Sequence, residues 1–366
     1  MKLIMGTKLK KAREDIGLTQ EALAEAVGLS SEYISLLESG KRTPSLETLN
    51  NISEYLKKEI SYFMKKKGSA FDILLAGERL DKDAKRELKK FQNYCDEYIN
   101  LEELTGRRLE LAPHYTNISA ERMADEERCR LGLKSEPIRD IFSLIELNGC
   151  RVIRHPLPED SRISGVFIHL DEKEASFALI NSLQSPGEQV FAAAHEYCHF
   201  LKDRSEGPII DNPDIFVDEF LSLYHPREKF AQAFAAQFLM PPSKISEIIE
   251  KDYRSRNLKF EDIIYLKRYF GVRTSAMLRT LKKLGYLSLS RFEEFQQLDP
   301  DLHEDAFFGN LEEEKGPKIR KARPFISDRF RILAIQAFQR KKISAEKLSE
   351  LLNQDKDKIV LLLAKL

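Results

Sequence analysis

The sequence predicts a mainly helical α+β protein built from more than one domain. Three observations carry this. At 366 residues the chain is too long for one small core. Amphipathic helical patterns, broken by Gly- and Pro-containing turns, run through residues 5–64 and resume over much of 80–148 and 243–366. Only three runs, 150–154, 163–170 and 176–181, are β-branched or aromatic, with Pro156, Pro158 and Asp171 between them, and these read as strands of a small sheet. Hydrophobic residues make up 42% and charged residues 32%, a globular balance that excludes a disordered chain.

Charge and cysteine usage exclude further classes. The formal net charge is +0, so any nucleic-acid binding must come from a local surface. Cys95, Cys129, Cys150 and Cys198 are scattered and form no CxxC pair, which argues against a disulfide framework and a thiolate zinc knuckle. The start, MKLIMGTKLKKARED, has no apolar signal-peptide core, and no window approaches the ~20 apolar residues that span a bilayer. The expectation is a cytoplasmic protein with no membrane contact.

The first domain is placed at 1–67, closed by the run Lys65-Lys66-Lys67-Gly68-Ser69. Gly17, Gly28 and Gly40 sit where helices should stop, and Thr19, Ser30 and Ser45 where the next should start. Ala22, Leu23, Ala26 and Val27 give one helix an apolar face, Gly28-Leu29-Ser30 makes a short turn, and Ile34, Leu36 and Leu37 give the next helix its own. Two short helices joined by a tight turn form a helix-turn-helix. The second helix then presents Ser31, Glu32, Tyr33 and Ser35 for base contacts, while Gln20, Lys41 and Arg42 are placed for phosphates. Residues 1–64 hold nine Lys/Arg and nine Asp/Glu, so 9 − 9 = 0, and one copy should bind a double-stranded operator weakly. A helical module that touches no DNA is the alternative.

The motifs RxxxGLTQ, ALAxxVG and IxxLExGKRxPS make residues 5–63 resemble the phage-repressor, or XRE, helix-turn-helix family. The resemblance implies a structural pairing of Arg13 with Glu38.

Residues 68–117 read as a helical linker. Within it, Ala84, Leu88, Phe91, Cys95 and Tyr98 repeat at spacings 4, 3, 4, 3. That seam fits either packing on a neighbouring helix or a homodimer contact.

The chemistry is concentrated in 118–287. His195 and His199 lie four apart on a helix expected over 187–202, so both leave one face and can bind Zn²⁺. Glu196 between them can act as general base toward water polarised by the metal. Catalytic zinc needs a third protein ligand and an open position. A second helix, 227–240, offers Glu228 as that ligand, with Asp218 and Glu219 as rivals. A substrate can lie along an edge strand, with 176–181 or 163–170 as the candidates, and Tyr224 and His225 are candidates to stabilise an oxyanion.

The pieces ISGVFIHL, FALIN, FAAAHEYCHFL and ExxAxxFAxxFLMP make this region resemble the ImmA/IrrE-type metallopeptidases. The resemblance implies a zincin-like fold, zinc on His195, His199 and Glu228, Glu196 as catalytic base, and cleavage of a partner transcription regulator. Family members often carry Gly where this chain has Cys198, whose side chain should pack rather than bind metal. Residues 288–366 read as a helical extension. The segment 260–286, with Gly271 at a turn, fits either packing helices or a second helix-turn-helix. Two functions follow: a DNA-binding regulator with a zinc-dependent endopeptidase domain, or a regulator or antitoxin-like protein whose peptidase-like domain senses or binds with little turnover.

Overall fold

A computed structural model describes residues 2–56, 58, 60, 70–75, 80–211, 226–252, 257–308, 326–355 and 359. The mainly helical α+β class holds: among the described residues there are seventeen α-helices and one four-stranded sheet. The chain divides into two compact units, Met1–Ile73 and Leu74–Leu366. The expected boundary at Lys65 to Ser69 lies outside the described residues.

The first unit contains helices Lys2–Asp15, Gln20–Ala26, Ser31–Glu38 and Leu46–Tyr55. Thr19, Ser30 and Ser45 cap the last three by accepting from the backbone N–H of Ala22, Tyr33 and Thr48. Gly17, Gly28 and Gly40 take φ of 71°, 68° and 67°, where a side chain would be strained. Leu9, Ala12, Leu23, Ala24, Ile34, Leu37, Leu49, Ile52 and Leu56 form the core. The buried stripe of the Gln20–Ala26 helix is rotated from the expected one: Ala24 is buried and Ala26 exposed. A seven-residue helix carries too few apolar positions to fix its phase. Gly6 matters for a reason periodicity hides. A Cβ there would stand 2.3 Å from the Leu37 carbonyl oxygen, so the first helix meets the third backbone to backbone.

In the second unit, strands β1 (Cys150–His155), β2 (Gly165–Leu170), β3 (Ala175–Asn181) and β4 (Ile209–Asp211) lie in the order β1-β3-β2-β4. β1 runs parallel to β3, and β2 is antiparallel to both β3 and β4. All seven residues of β3 are buried, as a central strand covered on both faces requires. β4 falls in a stretch that reads as a polar loop. Three residues are too few for a period, and pairing with Gly165–Phe167 defines the strand. This corrects one of the two substrate-edge expectations: β3 lies between β1 and β2, so 176–181 is interior, whereas β2 meets β4 only through Gly165–Phe167, and among the described residues Ile168–Leu170 have no strand on that side.

The helix Pro186–Lys202 packs on this sheet, and Pro226–Leu239 packs on that helix. Ser185 and Glu188 close a capping box, and Pro186 opens the first turn. The helix before β1 is Ile141–Leu147, capped by Asp140 accepting from Ser143 N–H.

The expected linker helix is Lys82–Thr105, and it belongs to this unit. Ala84, Leu88, Phe91, Cys95 and Tyr98 are all buried within one chain. The Tyr98 ring meets Phe177 of β3 and Phe330 of the helix Asp328–Gln339 edge-on, at 6.1 and 5.2 Å. The seam is therefore filled from inside and presents no dimer surface. Helices Phe260–Phe270 and Thr274–Lys283, turning at Gly271, send Ile263, Ile264, Phe270, Met277 and Leu281 into the main core. Packing thus accounts for the segment that also resembles a second helix-turn-helix. Among the described residues no helix is long and apolar enough to cross a membrane.

Candidate metal centre and nucleic-acid face

The helix Pro186–Lys202 is buried on all sides from Phe191 to Leu201. Its polar residues therefore need partners of their own. Tyr197 donates to Glu127 Oε1 at 2.5 Å, and Arg130 grips Glu127 with two hydrogen bonds of 2.6 and 2.7 Å. From the other side, Arg128 donates to the Phe238 carbonyl at 2.5 Å and holds the end of the Pro226–Leu239 helix. The helix Ala120–Arg130 thus fixes both helices that carry the candidate ligands.

His195, His199 and Glu228 converge. One donor atom from each lies within 4.8 Å of the others. His195 Nε2 stands 3.0 Å from Glu228 Oε2 and 3.1 Å from His199 Nε2, and His199 Nε2 is 3.7 Å from Glu228 Oε2. Zinc–nitrogen and zinc–oxygen bonds of about 2.0–2.2 Å, arranged tetrahedrally, put donors about 3.3 Å apart. The three atoms hold that spacing, and the donor set suits Zn²⁺.

Proton placement fits the same picture. Asp203 Oδ2 lies 2.7 Å from His199 Nδ1. With the Nδ1 proton donated there, the Nε2 lone pair turns toward His195 and Glu228. Lone pairs gathered at such range need a cation, either a proton or a metal ion. Without a metal, burial disfavours a charged His199, but its bonds to Asp203 and Glu228 outweigh this and lift its pKa to about 10. Burial pushes Glu228 up, but hydrogen bonds from both histidines win and hold it below the ordinary carboxylate range.

Glu196 lies at the same place. Both its oxygens are buried and have no hydrogen-bond partner among the described residues. Burial, with Asp211 and Glu228 nearby, raises its pKa well above that of a free carboxylate against the pull of His199. Gly165 of β2 makes room for it, since a Cβ there would stand 2.2 Å from Glu196 Oε1.

Cys198 is fully buried in the core, and burial pushes its thiol pKa up. Asp218, Glu219, Tyr224 and His225 lie outside the described residues. Sequence reasoning missed Asp203 and Asp211. The His199/Asp203 spacing of four was a usable signal for the first, and only strand pairing brings in the second.

In the first unit Arg13 grips Glu38 with bonds of 2.6 and 3.0 Å, and both are buried. Gln20 donates to Glu38 Oε2 at 2.7 Å, which engages one of its two amide hydrogens. Ser31, Glu32, Ser35, Lys41 and Arg42 are exposed. Tyr33 is half-buried, with the Arg42 guanidinium 5.1 Å from its ring centre.

Comparison with known proteins gives a family for the region that holds each candidate site. Residues 9–63 match the family model for the helix-turn-helix domain, and residues 146–282 match that for the IrrE N-terminal-like domain. The chain belongs to the helix-turn-helix family of transcriptional regulators, and its second unit carries an IrrE N-terminal-like, peptidase-like domain. It is 42% identical over 55 residues to an uncharacterized HTH-type transcriptional regulator of Methanothermobacter thermautotrophicus, covering 15% of this chain and 80% of that one. Over 54 residues it is 44% identical to the control protein C.MunI of a Mycoplasma species, covering 14% and 73%. A solved structure of Bacillus thuringiensis PlcR in complex with the peptide PapR7 and DNA aligns at 15% identity over 85% of this chain and 98% of that one. Its TM-score is 0.17, too low to support an argument.

Proposed function

We propose that this regulator binds an operator in double-stranded DNA through its first unit and hydrolyses peptide bonds of a partner regulator, with zinc, in its second. The observation that carries the peptidase reading is the convergence of His195, His199 and Glu228 beside a buried Glu196. His195, His199 and Glu228 would hold the ion. When bound, zinc would supply a Lewis acid that polarises the scissile carbonyl and acidifies water. Glu196 would accept the proton of the attacking water and return it to the departing amine, and its raised pKa suits that exchange. Asp203 would hold the ring of His199 in the ligating tautomer. On the DNA side, Ser31, Glu32, Tyr33 and Ser35 would face base edges, and Gln20, Lys41 and Arg42 would face phosphates. The balanced charge of this end makes affinity depend on two copies binding together, with a dimer surface other than the 84–98 seam.

A second reading, a metal-binding sensor with little turnover, gains support from one observation. His195, Glu196 and His199 are each 0% exposed.

The deciding experiment mixes the zinc-loaded chain with candidate regulators encoded by neighbouring genes and compares wild type with Glu196→Gln. Cleavage that disappears in the variant supports the peptidase. Equal processing by both, or regulation that does not change between them, sinks it.

A further inference from the structure

Asp211 ends β4, and its side chain is 1% exposed. Its Oδ1 stands 3.9 Å from His195 Nε2, the nitrogen that faces Glu228. Neither carboxylate oxygen has a hydrogen-bond partner among the described residues. Burying a carboxylate this way is costly unless a cation answers it. The backbone explains how it arrives there. Asp211 is the ladder partner of Gly165, and its carbonyl accepts from Ser164 N–H at 3.0 Å. Gly165 is also the residue whose missing side chain admits Glu196. One rung of the β2–β4 ladder therefore brings two carboxylates to the same point.

We propose that Asp211 is a fourth protein donor to the ion held by His195, His199 and Glu228, filling the coordination position that a hydrolytic centre keeps open. The inference rests on the metal centre of the proposed function. Its 3.9 Å approach to His195 Nε2 exceeds a tetrahedral edge by about half an ångström, and Asp211 stands outside the tight cluster of the other three donors, so its side chain must swing toward the ion to join them. Four protein donors make a closed centre, whereas three with an open position make a reactive one. The resting protein is then latent. Water or a substrate carbonyl reaches the ion only after Asp211 withdraws, so one residue separates the peptidase reading from the sensor reading.

The test uses the full chain loaded with cobalt(II) as a visible probe in place of zinc, with azide as a small competing anion. Wild type should show an intense four-coordinate spectrum that azide does not change. Asp211→Ala should show an altered spectrum that shifts with azide, and should lose zinc to a chelator at least about tenfold more readily. Asp211→Asn, nearly isosteric, guards against misfolding and should fall between the two. A wild-type spectrum that already responds to azide, or spectra and zinc retention identical in all three proteins, overturns the assignment while leaving the metal centre standing. A wild type that binds neither metal overturns both.

Discussion

His199 Nδ1 lies 2.7 Å from Asp203 Oδ2, one helical turn on, and both side chains are buried. Asp203 also caps the helix, its N–H reaching the His199 carbonyl at 2.7 Å. The carboxylate therefore fixes both the ring orientation and the tautomer of His199, the proposed ligand. Asp203→Ala should weaken zinc binding roughly 10–100-fold in a chelator competition, the usual scale for such partners. Unchanged affinity would show that the ring is held some other way.

Substitution at Gly165 should separate the proposed metal binding from the proposed turnover. Alanine there would press its methyl group on Glu196 Oε1, where a Cβ stands 2.2 Å away, and Glu196 must move. Gly165→Ala should keep its zinc, because the three ligands come from other elements, yet lose partner cleavage as Glu196→Gln does. Metal analysis of the two variants beside a cleavage assay checks this. Loss of zinc from Gly165→Ala would place the fault in the centre itself.

Titration of the metal-free protein has a definite sign. His199 is raised to about 10, so its stabilisation is complete below the ordinary histidine value of about 6.5 and is lost as pH rises through 10. Glu228 is depressed, so its contribution is present above the ordinary 4.5 and fails only in stronger acid. The melting temperature of the chelator-treated protein should therefore fall between about pH 7 and pH 10. The zinc-loaded protein should resist this fall, because the ion takes the place of the proton, and zinc affinity should rise over the same range as the His199 imidazole becomes neutral. A metal-free melting temperature flat across that range would refute the shared-proton picture.

Local chemistry made much of this legible in the sequence. Thr19, Ser30 and Ser45 announce helix starts because a hydroxyl satisfies orphan N–H groups wherever it sits. The His195/His199 spacing fixes one helix face regardless of tertiary structure. What stayed hidden depends on long-range pairing. β4 exists because β2 offers it three partners, and Asp211 matters only because that strand forms. The 84–98 seam displays heptad spacing but cannot reveal whether its cover comes from the sheet, from Phe330 or from a second chain. Gly6 and Gly165 give no periodic signal at all, since each is defined by what presses against it.

In the first unit, the buried pair Arg13 and Glu38 is joined by the half-buried Gln20. Removing one charge strands the other, which costs about 3–5 kcal/mol in buried pairs. Arg13→Ala should therefore accelerate hydrogen exchange throughout residues 2–56 while leaving exchange in β3 unchanged. Protection equal to wild type would mean that the pair contributes little beyond packing.

Operator binding should separate charge from readout. Deleting a side chain that neutralises one phosphate lowers the slope of log K against log salt by about 0.9. Lys41→Ala should do this and weaken all DNA sequences alike. Ser35→Ala, on the exposed side of the second helix, should leave the slope intact and change the preference between sequences. Arg42 is less clean, because its guanidinium also sits 5.1 Å from the Tyr33 ring centre and removing it frees that ring. Arg42→Ala should therefore alter both slope and preference, whereas Arg42→Lys should restore the slope more fully than the preference, since lysine keeps the charge but not the planar stacking. Salt titrations of these variants on an operator and on unrelated DNA distinguish the roles. Equal slopes for Lys41→Ala and wild type would remove Lys41 from the phosphate-binding set.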